Sequence, residues 1–515
     1  SMLARVFSCT VLGIEGIPLE VEVDIHRGMP TFDIIGLPDP SVREARERVR
    51  AAVRNSGFKF PTERITVNLA PADLRKEGPA FDLAIAIALL AASRQIPYND
   101  ELRKAILVGE LSLDGTLRPI PGTLAMAASI VRSAELNESV LYLPAANGAE
   151  AALIKQVPVK GVHTLKEVAQ HFCGFISIPT VPPQLDELVR QKRMPGPDFS
   201  EVKGQETAKR ALEVAAAGGH NLLLYGPPGS GKTMLARRLP GILPAPSLDE
   251  ILEITRIHSI AGRLPSERPL VMERPFRSPH HGASTAGIIG GGRVPRPGEV
   301  SLAHRGVLFF DELPEYSRDL LEALRQPLED RIVTVTRVSA TLTYPADFMF
   351  VASANPCPCG FLNDPFHLCR CSPAAVQRYR SRLSGPLLDR IDLQVEVPRI
   401  NLEQLQDGQT GESSAAIRSR VEQARLLQQN RFKKTAILTN AQMRSHHLAK
   451  HSHLNNESRS LLQQAYRNLG LSMRAHDRII KVARTIADLA GSEIIEAPHI
   501  AEAIQYRSLD RQEQR

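Results

Sequence analysis

The sequence predicts an α/β chain with a doubly wound parallel sheet at its centre, and three observations carry that prediction. Residues 221–225, 306–310 and 348–353 are nearly all apolar, as strands covered by helices on both faces must be. The chain ahead of them alternates β-rich runs with helical stretches. The chain behind them, from about residue 401, reads as helices alone. At 515 residues the chain is too long for one core, so about three units are expected.

The first unit, residues 1–177, carries strands at 19–25, 65–69, 105–108 and 140–143 and helices at 40–56 and 80–93. Residues 178–197 hold Pro179, Pro182, Pro183, Pro195 and Pro197, which predict a semi-rigid connector without regular structure. Residues 198–400 form the sheet-bearing core. Residues 401–515 form a lid of helices at 414–432, 439–448, 456–469, 473–490 and 498–506.

Composition narrows the class. A hydrophobic fraction of 43% and a charged fraction of 23% describe a globular chain. The longest apolar stretch, 81–92, is broken by Asp82 and falls short of the roughly 20 residues a membrane helix needs, so no membrane partner is expected. No basic start leads into an apolar segment, and a cytoplasmic location is expected. A net charge of +7 and a pI near 9.1 favour a polyanionic partner such as nucleic acid.

The most specific motif follows the strand at 221–225. Gly226, Pro227, Pro228, Gly229, Ser230, Gly231, Lys232 and Thr233 satisfy the phosphate-loop pattern, with a helix expected from about Met234. The glycines let backbone N–H groups approach the phosphates of ATP. Lys232 balances β/γ-phosphate charge, and the Thr233 hydroxyl ligates Mg²⁺. The strand at 306–310 ends in Asp311 and Glu312 at the sheet edge where the loop lies. Asp311 is expected to hold Mg²⁺ through water, and Glu312 to polarise the attacking water.

Four of the six cysteines fall within fifteen residues. Cys357, Cys359, Cys369 and Cys371 form two Cys-x-Cys pairs that can close a tetrahedral, structural Zn²⁺ site, with His367 as a substitute ligand. Reduced cysteines without metal are the alternative. His446, His447, His451 and His453 are read as a solvated or DNA-facing surface. The alternating stretch from Arg331 to Arg337 reads as a hairpin. Its arginines either face a pore and meet DNA backbone or line a solvated edge.

These motifs resemble the AAA+ family. Phe199, Val202, Gly204 and Gln205 look like the box that contacts adenine, and Asn355 resembles the polar sensor that positions lytic water. Residues 387–392, LLDRID, resemble a segment of the magnesium-chelatase and MCM branch that supplies an arginine finger, here Arg390. Residues 472–478 resemble its lid-borne second sensor, here Arg474; a structural salt bridge is the alternative for either arginine. A finger acts on the neighbouring subunit's nucleotide, so the resemblance implies a ring, with six as the family's usual number.

Across the whole chain the similarity is to the YifB/ComM family, on FDIIGLP (32–38), LAPAD (69–73), RSPHH (277–281), LSGPLLDR (383–390) and IADLAG (486–491). It implies an ATP-driven homo-hexameric DNA motor. Such a motor would bind single- and double-stranded DNA, migrate branches during recombination in natural transformation, and work beside a recombinase partner. Arg274, Arg277, Arg293 and Arg296 surround the Gly-rich run 287–292, which resembles the family's insertion in the second core helix. The N-terminal unit resembles the Lon-type protease fold through residues 109–120, yet Ala80 stands where that fold has its serine and Leu124 near its lysine. It is therefore expected to be non-catalytic. The rival readings are a magnesium-chelatase-like subunit serving a metal–porphyrin partner and a chaperone-type AAA+ ATPase remodelling a protein.

Overall fold

The computed structural model describes residues 2–191, 196–292, 295–336, 341–383, 387–406, 411–471 and 473–510. Among them, seven strands build the N-terminal sheet: β1 (Met2–Leu12), β2 (Glu15–His26), β3 (Thr31–Ile35), β4 (Arg64–Ala70), β5 (Ala105–Leu107), β6 (Val140–Pro144) and β7 (Val159–Val162). Their order is β3-β4-β2-β1-β5-β6-β7, antiparallel where β2 pairs β1 and β4 and parallel elsewhere. Helix α1 (Pro40–Asn55) is capped by Asp39, and α2 (Asp82–Ala92) lies wholly inside the domain core. That burial explains its unbroken apolar run. The only charged group in it, Asp82, is bonded by Arg48 Nε at 2.7 Å and by the Leu111 amide at 3.1 Å.

Helix α3 (Thr123–Arg132) places Leu124 in an apolar cluster with Leu153, Leu185, Ile251 and Leu270. Leu185 begins α4 (Leu185–Arg190), so the proline-rich connector is not without regular structure as its composition predicts. Pro182 and Pro183 precede the helix rather than interrupt it, where a missing N–H does no harm. An acidic first turn, a basic last turn and the burial of Leu185 then favour helix.

The central sheet has five strands among the described residues: β8 (Leu222–Tyr225), β9 (Phe276–Arg277), β10 (Val307–Phe310), β13 (Met349–Ala354) and β14 (Leu393–Glu396). Their order is β9-β10-β13-β8-β14, and every pairing is parallel. Between β10 and β13 stands the antiparallel hairpin β11 (Ile332–Thr336) and β12 (Thr341–Pro345). Helices α5 (Glu206–Gly218) and α6 (Lys232–Arg237) pack on the sheet, and α7 (Leu248–Ile260) carries Ile251 into the cluster with Leu124. Helix α8 (Pro373–Leu383) follows the cysteine-bearing excursion after β13.

The lid comprises α9 (Ser414–Phe432), α10 (Ser445–His451), α11 (Asn456–Leu469), α12 (Met473–Ala490) and α13 (Ala497–Gln505). It shares one apolar core with α5, β8 and β14. The helix expected at 439–448 is split into a short 3-10 turn, Asn440–Gln442, and α10. The break follows from Asn440, a buried amide bonded to Thr485, Asp488 and Gln428 across the lid. Asp488 also receives Arg431 at 2.7 Å and Arg484 at 3.0 Å, and Arg484 is 1% exposed. No described helix is long and apolar enough to cross a membrane.

Removing a carboxylate from such a network leaves buried guanidinium groups unpaired, at a cost of about 3–5 kcal/mol. Asp488→Ala should therefore lower the lid's unfolding free energy by about that much in urea titrations, whereas Glu457→Ala at the exposed start of α11 should change it by less than about 0.5 kcal/mol.

Candidate nucleotide site and arginine surface

Parallel pairing brings three strand ends to one edge. Leu224 is opposite Ser353, Tyr225 opposite Ala354, and Phe310 opposite Ala352, so the segments following β8, β10 and β13 emerge side by side. After β8 the chain turns through Gly229 (φ 75°) and Gly231 (φ 95°), left-handed positions that favour glycine. At Gly226 a side chain would meet the Val397 carbonyl oxygen at 2.1 Å, so the close approach of β14's end also requires glycine there. Pro227 and Ser230 are buried in the loop, Pro228 and Gly229 are exposed, and Thr233 lies half-buried in the first turn of α6.

Lys232 folds back over the loop. Its ammonium donates to the carbonyl of Gly226 at 2.5 Å and to Asn355 Oδ1 at 3.0 Å. Burial pushes its pKa down to about 8, against the opposing pull of Asp311 and Glu312. Ser353, whose part was not read from the sequence, fixes both acids. Its hydroxyl donates to Asp311 Oδ1 at 2.5 Å and accepts from the Glu312 amide at 3.1 Å. Glu312 itself takes a left-handed backbone (φ 55°), which turns the chain away from the sheet directly after Asp311.

Asn355 is held from behind, its backbone N–H donating to the Tyr379 hydroxyl of α8. Around the outer rim Val202 is buried, and its carbonyl accepts from Lys209. Gln205 ties Ser230 to Pro398, at 3.2 and 2.7 Å. Lys232, Asp311, Glu312 and Asn355 thus stand together at the one sheet edge where β8, β10 and β13 end.

Arg390 and Arg474 lie elsewhere. Both line a cleft of about 760 Å³ together with Arg325, Arg331, Asp389 and Arg478, and no residue of 226–233 borders it. Arg390 bonds Glu329, while Arg474 bonds Asp389 at 2.5 Å. Burial and the like charges of Arg325, Arg478 and Arg474 lower the pKa of Arg390. Behind this surface is a buried network absent from the sequence reading. Asp392 accepts from Arg478 at 2.5 Å and bonds His220 Nδ1 at 2.7 Å, and His220 Nε2 meets Thr485 at 2.7 Å. Burial alone would raise the Asp392 carboxyl, but Arg478 and His220 hold it below the ordinary carboxylate range.

Of the two arginines expected on the hairpin, only Arg331 falls among the described residues. The register Ile332↔Pro345 to Thr336↔Thr341 sets Arg331 at the foot of the hairpin, where it ends the helix Arg325–Asp330 in a left-handed conformation (φ 60°). Arg337 lies outside the described residues, as does Arg293. Arg274 and Arg277 are engaged internally, with Glu250 at 3.0 Å and Glu299 at 2.7 Å; Arg296 is exposed on a short ladder of Gly290–Gly291 with Arg296–Pro297.

The four cysteines after Asn355 converge, all Sγ atoms within 4.8 Å of one another. Cys357 Sγ is 3.3 Å from Cys359 and 3.7 Å from Cys369, and Cys359 is 3.6 Å from Cys369. His367 instead stacks on Phe361, with ring centroids 4.7 Å apart. The lid histidines form no metal-ligand group among the described residues: His446 and His447 lie with ring centroids 3.8 Å apart, His447 accepts from the Arg444 amide and His451 packs on Phe432.

Comparison with known proteins places this geometry. "Magnesium chelatase, subunit ChlI" matches residues 198–405, "Subunit ChlI of Mg-chelatase" residues 21–147, and "Magnesium chelatase, subunit ChlI C-terminal" residues 411–507. The uncharacterized protein YifB of Salmonella typhimurium is 44% identical over 99% of this chain and 98% of its own length. The competence protein ComM of Haemophilus influenzae is 42% identical, again over 99% and 98%. The chain belongs to the YifB/ComM family of magnesium-chelatase-like AAA+ proteins. Lon protease 2 of Bacillus subtilis is 31% identical over 29% of this chain and 27% of its own. The family is one of AAA+ ATPases, consistent with ATP and Mg²⁺ as its cofactors.

The position of Lys232 yields a measurement. Its proton should leave near pH 8 in the nucleotide-free protein, well below the ordinary lysine value of 10.5. In ¹³C-methyl-lysine NMR one resonance, missing from Lys232→Arg, should titrate there. A midpoint above pH 10 would contradict the desolvated placement.

Proposed function

We propose that this chain is an ATP-hydrolysing, homo-hexameric DNA motor that drives branch migration or strand unwinding during recombination of incoming DNA. The observation that carries the reading is the separation of the arginines from their own phosphate loop. Arg390, Arg474, Arg325 and Arg478 gather at a cleft that no residue of 226–233 borders. Glu329 and Asp389 pair with Arg390 and Arg474 there, and the triphosphate of an adjacent subunit carries enough charge to take their place.

Within one subunit, residues 226–233 bind the phosphates and Lys232 releases Asn355 and the loop carbonyls to meet the β/γ-phosphates. Thr233 and Asp311 hold Mg²⁺, Glu312 takes a proton from the attacking water, and Asn355 orients that water. Val202 and Gln205 border the base side. In the ring, Arg390 leaves Glu329 to neutralise charge on the transferring phosphoryl group, and Arg474 follows through the lid. Hydrolysis can then move the lid against the core through Arg478, which joins α12 to Asp392.

DNA as substrate is supported by the net charge of +7 and by the name of the ComM relative, a competence protein. The contact surface is the hairpin β11–β12 together with the Gly-rich ladder beside it, where a side chain on Gly291 would lie 3.4 Å from Val335. Phosphate contacts from Arg331, Arg337 and Arg296 need no base sequence, as a translocating motor requires. A cytoplasmic location and a recombinase partner belong to the same reading.

Lys232→Ala should abolish ATP turnover, and Glu312→Gln should bind ATP while slowing turnover about 100-fold or more. Arg390→Ala should bind nucleotide normally yet lose most hydrolysis. Mixed with Lys232→Ala, it should regain partial ATPase activity, because some interfaces then pair an intact Lys232 with an intact Arg390. Labelled chains that exchange without any recovery would sink the ring reading, and failure to displace a strand from forked DNA at full ATPase rate would sink the DNA reading.

A further inference from the structure

We infer that Cys357, Cys359, Cys369 and Cys371 hold one structural Zn²⁺ that clamps the phosphate loop to the strand bearing Asn355, so that metal loss loosens residues 226–233. This rests on reading those residues as the phosphate loop. Four Sγ atoms within 4.8 Å, at 3.3, 3.6 and 3.7 Å where individual pairs are measured, match tetrahedral thiolate ligands about 3.8 Å apart around Zn–S bonds of about 2.3 Å. None of the four is in a disulfide. With four protein ligands the ion has no open position, and its part is to fix the chain.

What it fixes is set by where the ligands stand. Cys357 is buried three residues beyond β13, and Cys371 stands two residues before α8. The metal therefore ties the end of the sensor strand to the start of the helix whose Tyr379 accepts from the Asn355 backbone N–H. Between the ligand pairs, Gly360 presses on the phosphate loop. A side chain there would lie 2.7 Å from Pro228 Cδ and 3.8 Å from the Asn355 amide carbon. Arg399 adds a second tie, 3.4 Å from the Pro228 carbonyl and 3.8 Å from the buried carboxylate of Asp364 in the same excursion.

Little else holds the excursion in place. Phe366 and Leu368 face outward at 58% and 87% exposure, and Phe361 and Leu362 are only half-buried, so hydrophobic burial anchors it weakly. A cross-link by metal supplies the order that packing does not, as in small domains whose fold depends on zinc.

The test uses the full-length protein and does not read ATP turnover. Protein purified without chelator should contain about one zinc per chain. Stripping with 1,10-phenanthroline should speed amide hydrogen exchange at least tenfold in peptides covering 226–233 and 355–371, while α2 in the N-terminal sheet domain stays unchanged. Added Zn²⁺ should restore protection, and Co²⁺ should bind with a thiolate charge-transfer band that Cys359→Ser with Cys371→Ser removes. No zinc together with no such cobalt band overturns the site. Zinc present, but exchange at 226–233 unchanged on stripping, overturns the clamp. Zinc-loaded protein that fails to hydrolyse ATP would refute the motor reading and leave this result standing.

Discussion

The hydroxyl of Ser353 holds the candidate site together. Being opposite Leu224 in β8 and one residue beyond the pairing of Ala352 with Phe310, it stands where three parallel strands end. From there it donates to Asp311 and accepts from the Glu312 amide, so the acids of β10 are referred to β13, and β13 delivers Asn355 two residues later. A charge-assisted bond in a partly desolvated position is about twice as strong as a neutral one. The strained backbone of Glu312 (φ 55°) is tolerable because this bond and the sheet register determine it from both sides.

The same register reaches the arginine surface. Leu393 pairs with Leu222, and Asp392, the residue before it, meets His220 on the other side of β8. Arg478 of the lid closes that network, one helical turn beyond Arg474, while Arg390 precedes Asp392 by two residues. A displacement of the lid therefore moves Arg474 and Arg478 relative to the sheet and to Arg390, and a displacement of β14 moves the loop through Gly226 and Val397. Two surfaces that share no lining residue in 226–233 are joined by two short polar and steric contacts.

Much of this was legible in the sequence because the signals are local. The phosphate loop needs glycines at fixed spacing between a strand and a helix, and the central strands need unbroken apolar runs; both follow from backbone geometry. The proximity of the four cysteines also followed from spacing. The failures are non-local. Helix α4 in the connector depends on Leu185 meeting Leu124 and Ile251 from other domains, and the break at Asn440 depends on Asp488 nearly fifty residues away. The hairpin itself was legible from its alternation, but that Arg331 stands at its foot rests on the pairing register. Ser353, Tyr379 and His220 carry no signature, since a single hydroxyl or imidazole acquires its part only from partners far off in the chain.

The N-terminal domain docks on the core through the neighbourhood of Leu124. By the resemblance to the Lon-type fold, Ala80 stands at the position of its serine and Leu124 near that of its lysine. Leu124 is not simply a deletion of charge: it is 2% exposed in the cluster that joins α3 to α7 of the core. Beside it the Gly122 amide donates to Ser259 at 3.1 Å, and Thr123 bonds Glu150, whose pKa burial pushes up to about 7. A lysine at position 124 would carry a charge into that contact, which apolar surroundings penalise by several kcal/mol. An apolar side chain at position 124 therefore suits the docking of this domain on the core. With the docking adopted, the turn after β1 approaches β12, a side chain on Gly13 lying 3.5 Å from the Thr343 carbonyl, so the domain sits beside the hairpin and bounds any path taken by a strand moving past it.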